Sequence, residues 1–543
     1  MRPAGLQRLV ELPVDFSRTS PYRSARAPVF ARNMVAASQP LAVEAGVRAL
    51  RAGGNAVDAA LAAAITLVVV EPTGNGLGSD AFAILWDGKE LHGLNASGRS
   101  PQAWSPERFA GMSQMPERGW DSVTVPGAVS AWVDLSRRFG KLAFEDLFTS
   151  AIHYAENGFL VSPIIAGLWQ SGAELLANQP GFADAFLPGG RPPQAGELFR
   201  NPALARSLRA IASTNGEAFY RGELAAAMVA DGRRHGAMLS EADLAAHRND
   251  WCAPISQRSG AVELHEIPPN GQGLAALMTL GILDRLGIAG CGVDSVEAVH
   301  LQIEAMKLAF ADTEAYVSDP QFMTAVTAED LLSPGYLDSR ARLIDRQRAQ
   351  DFRSGAPTAG GTVCLAAADE AGMMVSFIQS NYKGFGSGVV VPNTGISLQN
   401  RGCGFTLSPG HPNGVAGGKR PFHTIIPGFV MQAGQPLTAF GLMGGPMQAQ
   451  GHVQMVLRME TWGQDPQTAA DAPRWQVISG RRVLVEPEFD VDVLASLGEM
   501  GHDIAVEPGN VSFGFGGAQI VRRIPGGYVG GSDPRKDGHV GGY

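Results

Sequence analysis

Thr362 is the residue of this chain whose surroundings best suit it for chemistry. Gly360 and Gly361 come directly before it, and a strand-like apolar run begins directly after it. A threonine hydroxyl is a weak nucleophile unless a nearby group accepts its proton. If the backbone were cut before Thr362, its new α-amine, with an ordinary pKa of about 7.7 to 8.0, would suit that task. The glycines favour such a cut, because they leave the Gly361 carbonyl unhindered and free to adopt strained angles.

The predicted reaction is therefore self-cleavage of the chain. The Thr362 hydroxyl attacks the Gly361 carbonyl, the acyl group shifts from nitrogen to oxygen, and water hydrolyses the resulting ester. The products would be residues 1–361 and residues 362–543. On local sequence alone, a threonine that starts a strand after two glycines is more often structural, so the prediction depends on the rest of the chain.

Two kinds of element must position this threonine. The N-terminal part predicts two Ala-rich helices over Leu41–Val70, divided at Gly53-Gly54, then a buried strand at Ala81–Trp86 and a helical layer from Ala128 to Arg248. A helix over Val296–Tyr316 is expected to turn Glu304, Lys307 and Asp312 outward. After the loop GAPTAGG, β signals dominate: two strands join at a turn over Asp369–Gly372, further strands lie near Thr438–Leu442, Val483–Val485 and Ala518–Arg522, and a helix lies near Met447–Met459.

Ordered stretches along nearly the whole chain carry a family resemblance. In the N-terminal part they are GGNAVDAALAAAITLVVVEPTGNGLGSDAF, SVTVPGAVSAW, LFTSAIHYAENGF, AFYRGELA and IEAMKLAFADTEAYVSDP. In the C-terminal third they are GGTVCLAAADEAGMMVSFIQS, GFGSGVVVPNTGISLQN, GGKRPFHTIIP, GLMGGPMQAQGHV and GSDPRKDGHVGGY. Through them the chain resembles the gamma-glutamyltransferase (gamma-glutamyltranspeptidase, glutathione hydrolase) family of N-terminal nucleophile hydrolases, of the bacterial type without a lid.

The resemblance implies a fold and a set of catalytic residues. The fold is of the α+β class, a four-layer αββα sandwich built by a large subunit, 1–361, and a small subunit, 362–543, that stay associated. The nucleophile falls on Thr362, the hydroxyl that supports it on Ser380, and the oxyanion-binding pair on Gly444 and Gly445. These glycines follow the run TAFGLM and precede Pro446, so their N–H groups would lie at a helix N-terminus, where they can stabilise an oxyanion.

The resemblance breaks down at the positions that recognise substrate. The family's arginine for the α-carboxylate aligns with Ser97, and Arg99, two residues on, could reach into the same space. Its Asn, Gln and Asp align with Tyr382, Arg401 and Gly404, so the carboxylate that binds the substrate amine is absent.

Two further departures lie in the same region. The family's Ser-Ser pair aligns with His423 and Thr424, which we also assign to substrate binding. The loop Phe405–Lys419 is short, which would leave an open cleft for longer acyl donors.

We therefore expect an autoprocessed enzyme that cleaves gamma-glutamyl amide bonds through an acyl-Thr362 intermediate and passes the acyl group to water or an amine. Glutathione-like compounds are the expected substrates. One alternative is an acylase for glutaryl or cephalosporin-type amides, favoured by Ser97, Tyr382, Arg401 and Gly404. Another is a non-catalytic binding protein on the same fold.

Composition limits the partners. A net charge of -9 and a pI near 5.7 argue against nucleic acid. The longest apolar segment, Ala59–Val70, is too short to cross a bilayer, and Met1–Phe30 lacks an uninterrupted signal-like apolar stretch, so a soluble, cytoplasmic protein is expected. GNGLG lacks the full spacing of a phosphate loop, and HExxH, GxSxG and Cys/His metal spacings are missing, so neither a cofactor nor a metal is expected.

Overall fold

The computed structural model describes residues 26–352, 361–507 and 514–543. Most of the predicted N-terminal segment and nearly all of the loop GAPTAGG lie outside these residues. The helices are α1 Pro40–Arg51, α2 Ala56–Val70, α3 Ala128–Phe139, α4 Thr149–Asn157, α5 Pro163–Leu176, α6 Phe182–Phe186, α7 Pro202–Ser213, α8 Glu217–Tyr220, α9 Glu223–Arg234, α10 Glu241–Ala246, α11 Gly273–Arg285, α12 Val296–Tyr316, α13 Ala328–Leu332, α14 Pro334–Ala341, α15 Met447–Val456, α16 Pro466–Asp471 and α17 Val491–Glu499.

The strands alternate with these helices along the chain. They are β1 Val29–Ala31, β2 Met34–Ala37, β3 Asp80–Trp86, β4 Leu91–Ala96, β5 Phe159–Leu160, β6 Leu198–Phe199, β7 Asp250–Cys252, β8 Ile255–Ser259, β9 Val262–Glu266, β10 Gly361–Ala368, β11 Met374–Tyr382, β12 Val390–Val391, β13 Ile396–Ser397, β14 Pro427–Gln432, β15 Gln435–Leu442, β16 Trp475–Ser479, β17 Arg482–Val485, β18 Asp503–Val506, β19 Ala518–Ile524, β20 Gly527–Ser532 and β21 His539–Gly542.

Two antiparallel seven-stranded sheets form the middle of the molecule. The first sheet has the order β21-β2-β10-β11-β3-β4-β7, and the second has the order β1-β20-β19-β15-β14-β9-β8. One buried cluster joins the first sheet to α1, α2 and the helices between α3 and α9, a second joins the other sheet to α11, α12 and α15, and a third fills the space between the sheets. This arrangement is the expected αββα sandwich.

The Ala-rich helices show why the first layer is so thick. Helix α2 is buried along its whole length, and Asn55 begins it with a capping box in which its side chain accepts from the N–H of Val57 and Asp58. A short break separates α1 from α2, at the predicted glycine pair. Small side chains let α1 and α2 approach each other closely and bury two faces at once.

Helix α12 corrects one expectation from the sequence. Its bounds are as predicted, but Glu304, Lys307 and Asp312 are buried rather than turned outward. The Lys307 ammonium donates to the Glu304 carboxylate over 2.7 Å, and Asp312 forms an ion pair with Arg340. Such pairing lets charged residues occupy positions that a helical pattern assigns to the polar face.

Strand β10 holds the predicted nucleophile near the centre of the first sheet, between β2 and β11. Because side chains alternate along a strand, Val363 and Leu365 face the helices around α2, whereas Cys364 and Ala366 face the second sheet. The register with β11 shifts between Gly361 and Val363, so an irregularity falls at the nucleophile itself.

No helix among the described residues has the length and hydropathy needed to span a membrane.

Candidate active site

The Thr362 hydroxyl on β10 lies beside polar groups from two other elements. Its Oγ1 is 3.1 Å from the Ser380 Oγ on β11, and it accepts a hydrogen bond of 3.4 Å from the Gln448 Nε2 on α15. Ser380 is itself fixed, because its Oγ accepts from the Tyr382 backbone N–H over 2.7 Å. The structure therefore brings the two predicted hydroxyls together and orients both.

A row of polar side chains continues from this pair across the first sheet. Ser380 on β11 is the register partner of Asp80 on β3, and directly paired residues share one face of a sheet. Thr362, Ser380 and Asp80 are all fully buried at the same end of the sheet. Asp80 was not identified from the sequence, although a charged residue that opens the buried strand after GNGLGS was a signal for it.

The predicted oxyanion pair lies at the turn between β15 and α15. Gly444 and Gly445 have φ angles of 114° and 61°, a left-handed backbone that side chains strain, so the turn favours glycine. Within the described part of the chain, neither backbone N–H donates to a protein acceptor. Pro446 precedes the first residue of α15, so these N–H groups lie at a helix N-terminus as expected.

Two glutamines that were not identified from the sequence hold this region together. Gln448 accepts from the Ile426 N–H over 3.0 Å while it donates to Thr362. Gln272 donates to the Gly445 carbonyl over 2.8 Å and to the Thr424 carbonyl over 2.5 Å. The one sequence signal for these glutamines was the position of Gln448 within GLMGGPMQAQGHV. Their contacts could not be predicted, because each contact joins elements far apart in sequence.

Arg401 lies buried against Tyr382, two residues after Ser380. Its guanidinium stacks on the Tyr382 ring at 4.4 Å from the ring centroid, and its Nη1 donates to the Thr424 Oγ1 over 2.8 Å. Burial lowers the pKa of Arg401 to about 10, although nearby Asp80 opposes that change. Tyr382 has a φ of 78°, so the backbone is strained at the residue that donates its N–H to Ser380 and stacks its ring on Arg401.

The His423 imidazole faces the Asp80 carboxylate. Its Nε2 is 3.1 Å from the Asp80 Oδ2, and its Nδ1 accepts from the Ile425 N–H over 3.3 Å, so the proton belongs on Nε2. Burial holds the pKa of His423 well below its ordinary value, which keeps the ring neutral. Burial also raises the pKa of Asp80 to about 7, against the lowering effect of Arg401 and two backbone N–H groups.

The remaining predicted binding residues are engaged with protein groups. The Ser97 hydroxyl donates to the Asn95 amide oxygen over 2.7 Å. The Arg99 guanidinium pairs with Asp319 over 3.0 Å and is one-third exposed. At Gly404 an added Cβ would lie 2.6 Å from a backbone oxygen, so this position has no room for the aspartate of the family pattern.

The expected open cleft is not present among the described residues. Thr362 and Ser380 have no exposed surface, and Tyr382 is 4% exposed. The loop Phe405–Lys419 folds back on itself, because its Phe405 and Val415 pack around Trp104. The short loop is therefore packed against the region around Trp104.

Acid and imidazole groups within the site already have protein partners, which leaves no evident metal site there. Another group of such residues, His300, Glu304 and His502, lies on and beside α12, away from Thr362. The Lys307 ammonium, 2.7 Å from the Glu304 carboxylate, already supplies a positive charge at that place. Electrostatic repulsion would therefore oppose a bound cation.

Comparison with known proteins identifies close relatives over the full fold. A crystal structure of a cephalosporin acylase from Bacillus halodurans superposes with a TM-score of 0.92 at 46% identity, over 97% of this chain and 98% of that one. The oxamate amidohydrolase proenzyme of Klebsiella pneumoniae is 37% identical over 95% of this chain and 99% of its own length. The glutathione hydrolase-like YwrD proenzyme of Bacillus subtilis is 36% identical over 93% and 98%.

These relatives are hydrolases, and the two curated ones are named as proenzymes. The family model for gamma-glutamyltranspeptidase matches residues 42–543, which include the row of buried polar residues and the glycine turn. The chain is therefore an N-terminal nucleophile hydrolase that belongs to the gamma-glutamyltranspeptidase family.

Proposed function

We propose that this enzyme cuts its own chain between Gly361 and Thr362 and then hydrolyses amides of short acyl groups that carry a carboxylate. Gamma-glutamyl compounds are the first candidate substrates, because they are the substrates of the family. The observation that carries the proposal is the placement of the Thr362 hydroxyl, 3.1 Å from Ser380 and within reach of Gln448.

The proposed chemistry assigns one task to each group. The Thr362 α-amine, released by the cut, accepts the hydroxyl proton while Oγ1 attacks the substrate carbonyl. The N–H groups of Gly444 and Gly445 stabilise the oxyanion, and a donor of this kind contributes about 2.7 to 4 kcal/mol. The proton passes to the leaving amine as the C–N bond breaks, and an acyl-Thr362 ester remains. Water, or an amine acceptor, then attacks the ester carbonyl, the bond between the acyl carbon and Oγ1 breaks, and the proton lost by the acceptor restores the Thr362 hydroxyl.

Glutaryl-type amides, which lack the α-amine, form a second candidate class. The observation that favours them is Gly404, where a side chain would collide with the backbone, so the amine-binding aspartate of the family pattern has no counterpart. The relative described as a cephalosporin acylase is consistent with such substrates.

Self-cleavage is tested by denaturing gel and N-terminal sequencing. We expect two bands from the purified protein, with the sequence Thr362-Val363-Cys364 at the start of the shorter one. Thr362→Ala should give one uncut band and no turnover, because the nucleophile is missing, while Thr362→Ser should still cut. An uncut but active wild-type protein would contradict the mechanism.

The substrate class is tested with a matched pair of chromogenic anilides. Gamma-glutamyl anilide and glutaryl anilide differ only in the α-amine, so the ratio of their kcat/KM values measures recognition of that group. A higher value for the gamma-glutamyl compound supports the first class, and a higher value for the glutaryl compound supports the second.

A further inference from the structure

Arg401 carries an unused hydrogen-bonding edge. The residue is 1% exposed, yet its Nε and Nη2 have no hydrogen-bond partner among the described residues. A buried donor without a partner costs about 1 to 3 kcal/mol, and more when it is charged. Proteins seldom leave such groups unpaired, and a bound ligand or an ordered water usually completes them.

The two unpaired atoms belong to one edge of the guanidinium. The Nε–H and one Nη2–H point in parallel directions, which matches the two oxygens of a carboxylate. The third nitrogen is already bonded to Thr424, and the plane is fixed by the stacked Tyr382 ring. The free edge is thus preorganised for a planar anion, since the side chain cannot easily turn.

The position of Arg401 links it to the nucleophile through both its partners. Tyr382, on which the guanidinium stacks, donates its N–H to the Ser380 hydroxyl. The Gln272 side chain donates both to the Thr424 carbonyl and to the carbonyl of Gly445 in the predicted oxyanion turn. These contacts connect Arg401 to the residues that hold the nucleophile and the oxyanion turn, and we infer that the free edge faces the acyl end of a bound substrate.

Asp80 balances the charge of Arg401 but is not free to bind an amine. Its Oδ1 accepts from the N–H groups of Gly98 and Gly127, each over 3.1 Å, and its Oδ2 accepts from the His423 Nε2 over 3.1 Å. Three protein donors already surround this carboxylate. Asp80 therefore has little remaining capacity to bind a substrate ammonium, and Gly404 has no side chain that could bind one.

From this geometry we propose that the Nε and Nη2 edge of Arg401 binds the terminal carboxylate of the acyl group beside the buried Asp80, and that the preferred substrates are monoamides of dicarboxylic acids without an α-amine. This inference rests on the proposed amidohydrolase function. It selects the second substrate class, the glutaryl-type amides, over the gamma-glutamyl compounds. It assigns the carboxylate to a position where the family has glutamine, instead of the position now occupied by Ser97.

The pH dependence of binding follows from the same arrangement. An anion beside Arg401 repels ionised Asp80, so Asp80 binds a proton more readily in the complex than in the free enzyme. Affinity should be constant below the free-enzyme pKa of about 7 and should fall above it. The charged and titratable groups that face Asp80 are Arg401, Arg420, His423 and Tyr220.

None of these neighbours should titrate between about pH 6 and about pH 9, since burial lowers the pKa of His423 and raises that of Tyr220, and arginines stay charged. The Thr362 α-amine does titrate in this range, and it remains in every variant that cleaves. An Asp80→Asn variant therefore separates the two contributions.

The test compares glutaryl anilide with butyryl anilide, which lacks the carboxylate. For the cleaved wild-type enzyme we expect a kcat/KM ratio that strongly favours the glutaryl compound. Arg401→Gln should lower this ratio about 100-fold, because the loss of a charged bidentate contact is specific to the carboxylate. Arg99→Gln is the matched control: its guanidinium already pairs with Asp319, so the ratio should persist.

The outcomes separate this inference from the proposed function. An unchanged ratio in Arg401→Gln, or a loss that follows Arg99→Gln instead, overturns the assignment while self-cleavage and anilide turnover still stand. If Arg401→Gln fails to cleave, inhibition of the wild-type enzyme by pentanoate decides between the outcomes. Inhibition that weakens above about pH 7, and does so less in Asp80→Asn, supports the proposal; equal pH profiles contradict it. A higher kcat/KM for gamma-glutamyl than for glutaryl anilide contradicts the amine-free class.

Discussion

Ser380 is the residue whose removal best tests the support of the nucleophile. Ser380→Ala deletes the hydroxyl 3.1 Å from the Thr362 Oγ1, so both self-cleavage and turnover should slow by about 10- to 100-fold, the range expected for one buried hydrogen bond. The rate of band conversion and kcat measure the effect.

Ser376→Ala is the matched control for that substitution. Ser376 lies on the same strand and the same face, but its hydroxyl donates to the Phe440 carbonyl, away from Thr362. We expect normal processing in this variant. Equal losses in both variants would assign Ser380 a role in stability alone.

The residues of the site differ in how far the sequence could predict them. Thr362 and Ser380 follow from motif and family, since both lie in one continuous stretch with two glycines before it. Asp80 and Gln448 could not be found that way. Their partners, His423 and Thr362, are far along the chain, and only the folded structure brings these groups together.

Helix α15 contributes its N-terminus to the site, and Gly444 controls that contribution. Gly444→Ala should lower kcat by about 100- to 1000-fold with little change in KM, because a φ of 114° strains alanine and would displace the N–H that we propose binds the oxyanion. Gly434→Ala is the control, because this glycine has a φ of 73° in a turn at the other end of β15. Similar kcat losses in both variants would contradict the oxyanion assignment.

Helix α12 also contacts the segment between α17 and β18 through a histidine pair. The His300 Nδ1 and the His502 Nε2 are 2.8 Å apart, and burial lowers the pKa of His502 to about 3. An unfolded histidine has a pKa near 6.5, so only the unfolded state takes up this proton between the two values. Stability should therefore be full above about pH 6.5 and should decrease as the pH falls.

This pH effect is measurable by thermal unfolding. Protonation of His502 in the unfolded state should lower the free energy of unfolding by about 2 kcal/mol between pH 7 and pH 5, because each pH unit below 6.5 costs about 1.4 kcal/mol. His502→Gln should flatten the decrease of Tm with acidity, whereas the exposed His153→Gln should not. An unchanged slope in His502→Gln would show that other groups cause the acid sensitivity.

Element types and bounds were largely predictable, but the burial of charged side chains on α12 was not. The periodicity of α12 gave its ends and assigned Glu304 and Lys307 to the solvent, because pattern analysis treats charge as exposure. In the structure these side chains neutralise each other inside the protein. The four layers came from the resemblance, since periodicity indicates only mixed helices and strands.

The molecule as a whole interleaves the two predicted fragments. In the first sheet, β10 and β11 from the C-terminal fragment lie between β2 and β3 from the N-terminal one. The second sheet also takes strands from both. We expect the cut fragments to elute together in gel filtration and to separate only in denaturant, because neither can complete a sheet alone. Separate elution without denaturant would contradict this expectation.

The meeting of three elements at Thr362 makes maturation depend on folding. The hydroxyl is positioned only when β10 lies beside β11 and α15 has docked through Gln448. A misfolded molecule lacks this arrangement and would keep its peptide bond intact. Cleavage is permanent and requires the native structure, so catalytic competence is restricted to molecules that have folded correctly.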